Sequence, residues 1–165
     1  MQAGIGRAEP GGVCLRRRLD MVVCMFGIFK AGALYVPRAP DYPPQRSGHI
    51  CADSGLCLLL TDAELRDGVL AESTVHISPD RTLRCLDMAS LWPLIEELEL
   101  PALPQHEADW PAYVIYTSGS AGLPRGVLIG LGPLSHNCQV IMASHDLSAA
   151  ARALLFASTR TEEAH

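Results

Sequence analysis

The chain is 165 residues long, 48% hydrophobic and 19% charged, which suits one packed domain and excludes a disordered chain. Its formal charge of -5 and pI near 5.6 argue against general nucleic-acid binding, which needs a clustered positive face. Aromatics at 5% leave the core to Leu, Val, Ile, Ala and Met.

In chain order, Met1 to Gly12 is polar and Gly-rich, and Pro10-Gly11-Gly12 reads as a breaker, so 1–12 is expected to be a loose leader. Val13-Cys14-Leu15 suits a short strand. Leu19, Val22, Val23, Phe26 and Phe29 recur at three- and four-residue steps, which predicts a helix burying that face and capped at Gly32. Arg16 to Arg18 before this apolar run has the outline of a targeting signal. Asp20 interrupts it, Lys30 closes it, and the run falls well short of the roughly 20 apolar residues of a membrane span. Ala33 to Val36 reads as a strand stopped by Pro37, and Pro37, Pro40, Pro43 and Pro44 stiffen the loop beyond it. A helix is expected from Pro44 to Ala52, and Gly55 breaks it. Leu56 to Leu60 is an apolar run of strand length, suited to burial on both faces. Further expectations are a helix over Asp62–Leu70, a strand over Thr74–Ile77, a helix over Leu86–Leu98 despite Pro93, and an acidic loop from Pro101 to Pro111. Beyond them come strands at Tyr113–Tyr116 and Gly126–Ile129, a helix at Leu134–His145 and a strand at Ala153–Phe156. Apolar strands alternating with helices imply an α/β fold, a mostly parallel sheet layered with helices.

The six cysteines are scattered, with no C-x-x-C and no zinc spacing, and most lie in apolar runs. They read as reduced core residues of a cytoplasmic protein. The dispersed histidines read as surface or hydrogen-bonded side chains. No metal site is expected.

The segment with chemical character is Tyr116-Thr117-Ser118-Gly119-Ser120-Ala121-Gly122-Leu123-Pro124-Arg125-Gly126. Glycines let backbone N–H groups close around an anion, hydroxyls of Thr117, Ser118 and Ser120 add donors, and Arg125 adds a cation matched to phosphate oxygens. It is not a Walker A loop, because Pro124, Arg125 and Gly126 stand where that pattern needs Gly, Lys and Ser or Thr. On composition alone a Gly/Ser-rich surface turn fits equally well.

Tyr116 to Val127 closely resembles the signature Y-T-S-G-S/T-T-G-x-P-K-G-V of adenylate-forming (AMP-binding) enzymes, and Ala112-Tyr113-Val114-Ile115 fits the style of nonribosomal peptide synthetase adenylation domains. Upstream, Leu19-Asp20-Met21-Val22-Val23 and Lys30-Ala31-Gly32-Ala33-Leu34-Tyr35-Val36-Pro37 look like the L-K-A-G-x-A-Y-V-P-L-D-P block with its leading helix. Asp41 to Arg46, Asp53-Ser54-Gly55 and Leu58 to Thr61 continue it, and Phe156-Ala157-Ser158 resembles a later strand. The matches are collinear over residues 13–158, with 159–165 as a polar tail.

The resemblance implies part of a ligase that joins a carboxylic acid, here an amino acid, to AMP, using ATP and Mg2+ and releasing pyrophosphate. In the parent enzyme a carrier protein would receive the acyl group. It implies nucleotide-phosphate binding by Thr117, Ser118, Gly119, Ser120, Gly122 and Arg125, and names no catalytic residue. Ala121 stands in place of threonine, Arg125 in place of lysine, and Arg38 where the family has an apolar residue. Leu131 lies near a position often held by histidine. Nothing resembles the family's threonine-glutamate magnesium contact, its ribose-binding aspartate, its amino-acid pocket or its C-terminal lysine. The expectation is an N-terminal fragment that carries the phosphate loop and is not active alone. The alternatives are a non-catalytic nucleotide-binding module, a non-functional remnant, or an unrelated interaction protein.

Overall fold

The computed structural model describes residues 5–73, 83–99, 102–118, 123–148 and 150–152. Among them, elements follow in the order β1 (Pro10–Cys14), α1 (Leu19–Lys30), β2 (Leu34–Pro37), α2 (Pro44–Asp53), β3 (Leu58–Thr61) and α3 (Ala63–Ser73). Then come β4 (Arg84–Asp87), α4 (Met88–Glu96), β5 (Pro111–Thr117), β6 (Arg125–Gly130) and α5 (Leu131–Ser144). The strands form one sheet in the order β4-β3-β1-β2-β5-β6. Every neighbouring pair is parallel except β5 and β6, which form an antiparallel hairpin. The expected mostly parallel, helix-layered sheet is therefore the fold.

The chain steps from β1 outward to β2, then turns back across β1 to β3. Right-handed crossovers in opposite directions place α1 and α2 on opposite faces of the sheet. Two core clusters reflect this. Cys14, Val36, Leu59, Val114 and Tyr116 meet Ile50 and Cys51 of α2 on one face. Val13, Leu15 and Tyr35 meet Met21, Cys24 and Ile28 of α1, with Met88 of α4, on the other. Adjacent strand residues alternate between the two clusters, as the pleat requires.

Several expectations are corrected. Pro10-Gly11-Gly12 is not part of a loose leader but the first half of β1, the strand between β2 and β3. A Cβ on Gly12 would stand 2.7 Å from Leu59 Cδ1 and 2.8 Å from Leu56 Cδ2, so the glycine that suggested a breaker instead admits two core leucines. Helix α1 ends where expected, but its buried stripe is Met21, Cys24 and Ile28. Leu19, Val23 and Phe26 of the expected face are exposed. The helix is apolar on nearly every side, so periodicity could not choose between stripes, and the sheet surface chose. Strand β4 adds to the expected elements. Its register places Leu59 beside Cys85 and Leu60 beside Leu86. The Leu86–Leu98 helix begins instead at Met88, where the Asp87 carboxylate accepts the Ala89 N–H at 3.2 Å as an N-cap. Helix α5 starts at Leu131 rather than Leu134, with Pro133 in its first turn, where proline is tolerated. The strands expected at Thr74–Ile77 and Ala153–Phe156 lie outside the described residues.

Cys14, Cys24 and Cys51 are buried thiols, as expected of core cysteines, Cys57 and Cys85 are half-buried, and Cys138 is exposed. Among the described residues no helix is long and apolar enough to cross a membrane.

Candidate phosphate-binding site

Strand β5 is parallel to β2, so Thr117 at its end lies at the carboxyl edge of the parallel sheet. In open α/β sheets that edge is where ligands bind, beside the point where strand order reverses. The hairpin returns through β6, and Thr117 pairs directly with Arg125. The final cross-strand pair thus sets Thr117 and Arg125 side by side in the ladder, one at each end of the loop. Ser118 follows in an exposed position. Of the expected phosphate ligands, Thr117, Ser118 and Arg125 are therefore placed at one mouth, while Gly119, Ser120 and Gly122, with Ala121, lie outside the described residues.

Both stems of this loop are bound by α2. Arg46 Nη2 donates to the Tyr116 carbonyl at 3.3 Å, and its guanidinium lies 4.7 Å from the centre of the Tyr42 ring. The Tyr116 hydroxyl donates to Asp53 Oδ2 at 2.7 Å. Burial, then the Asp53 carboxylate, pushes the Tyr116 phenol well above its ordinary range, so the group stays a donor. On the other stem His49 Nε2 lies 2.8 Å from the Pro124 carbonyl. A carbonyl only accepts, so the ring nitrogen carries the proton. The His49 and Tyr116 rings meet edge to face, centroids 6.2 Å apart.

Sequence reasoning did not assign Arg46, His49 or Asp53 to the site. Their spacing, 46, 49 and 53, is that of one helical face and was the available signal. His49 and His106, which bonds the Phe29 carbonyl, are both satisfied histidines as expected. Arg38, the departure after β2, is buried, and its Nη1 donates to Cys14 Sγ at 3.1 Å.

An open depression of about 350 Å3 lies elsewhere, between the 106–108 segment and the start of α5. It adjoins the Pro111–Gly130 end of the hairpin, opposite the loop. The first N–H groups of α5 already donate to carbonyls there, Leu131 to Trp110 and Gly132 to Ala108. Its helix terminus therefore has no spare donors at those positions for an anion. Among the described residues no three His, Cys, Asp or Glu side chains are grouped to share a metal ion.

A mostly parallel sheet layered with helices, with the Thr117–Arg125 end of its hairpin at the carboxyl edge, defines an α/β protein. A family model described as "AMP-binding enzyme" matches residues 1–159, and the chain belongs to that family. It is 40% identical to a linear gramicidin synthase of Brevibacillus parabrevis over 129 residues, covering 78% of this chain and 2% of that protein. Its fold is similar to the nonribosomal peptide synthetase FmoA3 in an α-methyl-L-serine-AMP bound form, with TM-score 0.76 and 23% identity, covering 94% of this chain and 16% of that one. It is also similar to the N-terminal subdomain of Klebsiella oxytoca NpsA, with TM-score 0.61 and 23% identity, covering 76% of this chain and 29% of that one. The chain thus spans a small part of the proteins it matches.

Proposed function

We propose that this chain is the phosphate-binding portion of an amino-acid adenylating domain of nonribosomal peptide synthesis. The observation that carries the reading is the pairing of Thr117 with Arg125 at the carboxyl edge of the sheet, beside exposed Ser118. Thr117 and Ser118 hydroxyls donate to phosphate oxygens, and the Arg125 guanidinium offers a fork of donors to the same anion. By resemblance, Gly119, Ser120 and Gly122 complete the cradle with backbone N–H groups. These are all donors and suit ATP. Bound Mg2+ would neutralise part of the phosphate charge. The chemistry requires an amino-acid carboxylate to approach the α-phosphate, two anions brought together. Fixed donors that hold the leaving pyrophosphate lower that barrier. Substrate and carrier protein engage other segments of the parent enzyme, and this portion alone binds nucleotide without turnover.

A thermal melt with Mg-ATP tests the reading. At ligand tenfold above its dissociation constant, binding stabilises by about 1.4 kcal/mol, a Tm rise of about 3–6 °C for a chain of this size. Arg125→Ala removes a charge-assisted contact and is expected to weaken binding by about tenfold or more. If Mg-ATP leaves the wild-type Tm unchanged, or both proteins bind equally, the phosphate-site reading is wrong. Binding without amino-acid-dependent pyrophosphate exchange is the expected behaviour of this chain, and exchange would overturn the inactive-portion reading.

A further inference from the structure

Helix α2 touches both ends of the loop and the ring between them. One stem is held through the Tyr116 carbonyl by Arg46, at 3.3 Å, and through the Tyr116 hydroxyl by Asp53, at 2.7 Å. The other is held through the Pro124 carbonyl by His49, at 2.8 Å. Tyr116 and Pro124 each immediately precede a proposed phosphate ligand, Thr117 and Arg125. The hairpin register ends at the Thr117–Arg125 pair, so beyond it the β-ladder no longer sets the spacing of the stems.

We propose that α2 is the positioning helix of the phosphate loop, with His49, Arg46 and Asp53 fixing the separation and aim of its two stems. The proposal rests on the reading of the loop as a phosphate site. One rigid element bound to both stems holds the Thr117 and Arg125 donors in place before an anion arrives, so little reorganisation accompanies binding. His49 is the decisive member because it bridges from α2 to the returning stem, through the Pro124 carbonyl. Its role requires only an N–H at Nε2, which the Nε2 tautomer and the imidazolium both supply. Glutamine can present a donor at a similar reach, and alanine cannot.

Hydrogen exchange followed by mass spectrometry on the full 165-residue chain decides it. In His49→Ala, peptides within 117–125 are expected to exchange about fivefold faster, the factor for one modest hydrogen bond. Peptides from β1 and β3 should be unchanged, and His49→Gln should restore slow exchange. Mg-ATP affinity should weaken about fivefold in His49→Ala and return in His49→Gln. Arg46→Ala supplies an independent variant, with faster exchange on the Tyr116 side of the loop. Unchanged exchange over 117–125 in His49→Ala overturns the proposal. So does equal acceleration in β1 and β3, which marks a general loss of stability, or failure of glutamine to restore. If wild-type protein binds no Mg-ATP, the phosphate-site reading falls, while exchange at the stems still decides whether α2 holds them.

Discussion

Replacing Gly32 by alanine is expected to destabilise the fold by about 2–5 kcal/mol. Gly32 follows α1 with φ +72°, the left-handed region, and turns the chain into β2. Its N–H donates to the Phe29 carbonyl at 2.9 Å and the Ala33 N–H to Ile28 at 3.1 Å, a helix terminus that needs this conformation. A residue with a Cβ there costs about 1–2 kcal/mol. The added Cβ would also stand 2.7 Å from Trp110 Cζ3. The ring is hemmed in, with the Arg7 guanidinium 4.6 Å from its centre and the His106 ring 5.5 Å away. Overpacking of that kind adds about 1–3 kcal/mol. At about 3 kcal/mol the Tm would fall by about 6–12 °C. Circular dichroism during thermal and urea unfolding reads this, with Gly27→Ala as the control. Gly27 is exposed within α1 and nothing lies within 4 Å of an added Cβ, so alanine should stabilise by up to about 1 kcal/mol. A Gly32→Ala protein within about 0.5 kcal/mol of wild type would refute the argument from φ and from Trp110.

Gly12→Ala should cost about 1–3 kcal/mol, because Leu56 and Leu59 are buried and have little room to withdraw, and urea unfolding checks it. Tyr116→Phe removes the bond to Asp53 and should cost about 0.5–1.5 kcal/mol, Asp53 being exposed enough for water to replace the phenol. An unchanged urea midpoint would dismiss that bond as a contributor. Alkaline titration should weaken the fold. Burial, then Asp20, pushes the Cys24 thiol up to about 11. Burial, then Cys24, pushes the Tyr35 phenol up to about 12. Both hold their protons longer folded than unfolded, so their contribution is complete below about pH 9 and is lost as pH rises toward about 12. A urea midpoint that does not fall over that range would contradict the burial of both groups. Under native conditions a thiol reagent should modify Cys138 rapidly while Cys14, Cys24 and Cys51 stay protected until unfolding, and mass mapping of the labelled peptides checks it.

Local chemistry and short-range pattern were sufficient for much of this protein. The motif at 116–127, the glycine that ends α1, the apolar run of β3 and the hairpin return through β6 all depend on residues close in sequence. Each state is set by backbone freedom, side-chain period or a short motif, which a linear chain displays. The sheet order, the inclusion of Pro10-Gly11-Gly12 in β1, and the choice of Met21, Cys24 and Ile28 over Leu19, Val23 and Phe26 were decided by the fold. An all-round apolar helix offers several equivalent stripes, and a glycine pair reads as a turn until two leucines are packed against it. The same holds at the site. Thr117, Ser118 and Arg125 were visible as a motif, but Arg46, His49 and Asp53 acquire meaning through contacts 63 to 75 residues away along the chain. Such partners leave only a helical spacing in the sequence. Packing α2 against the loop stems gives that spacing its role, because hydrogen bonds are formed in space and not along the chain.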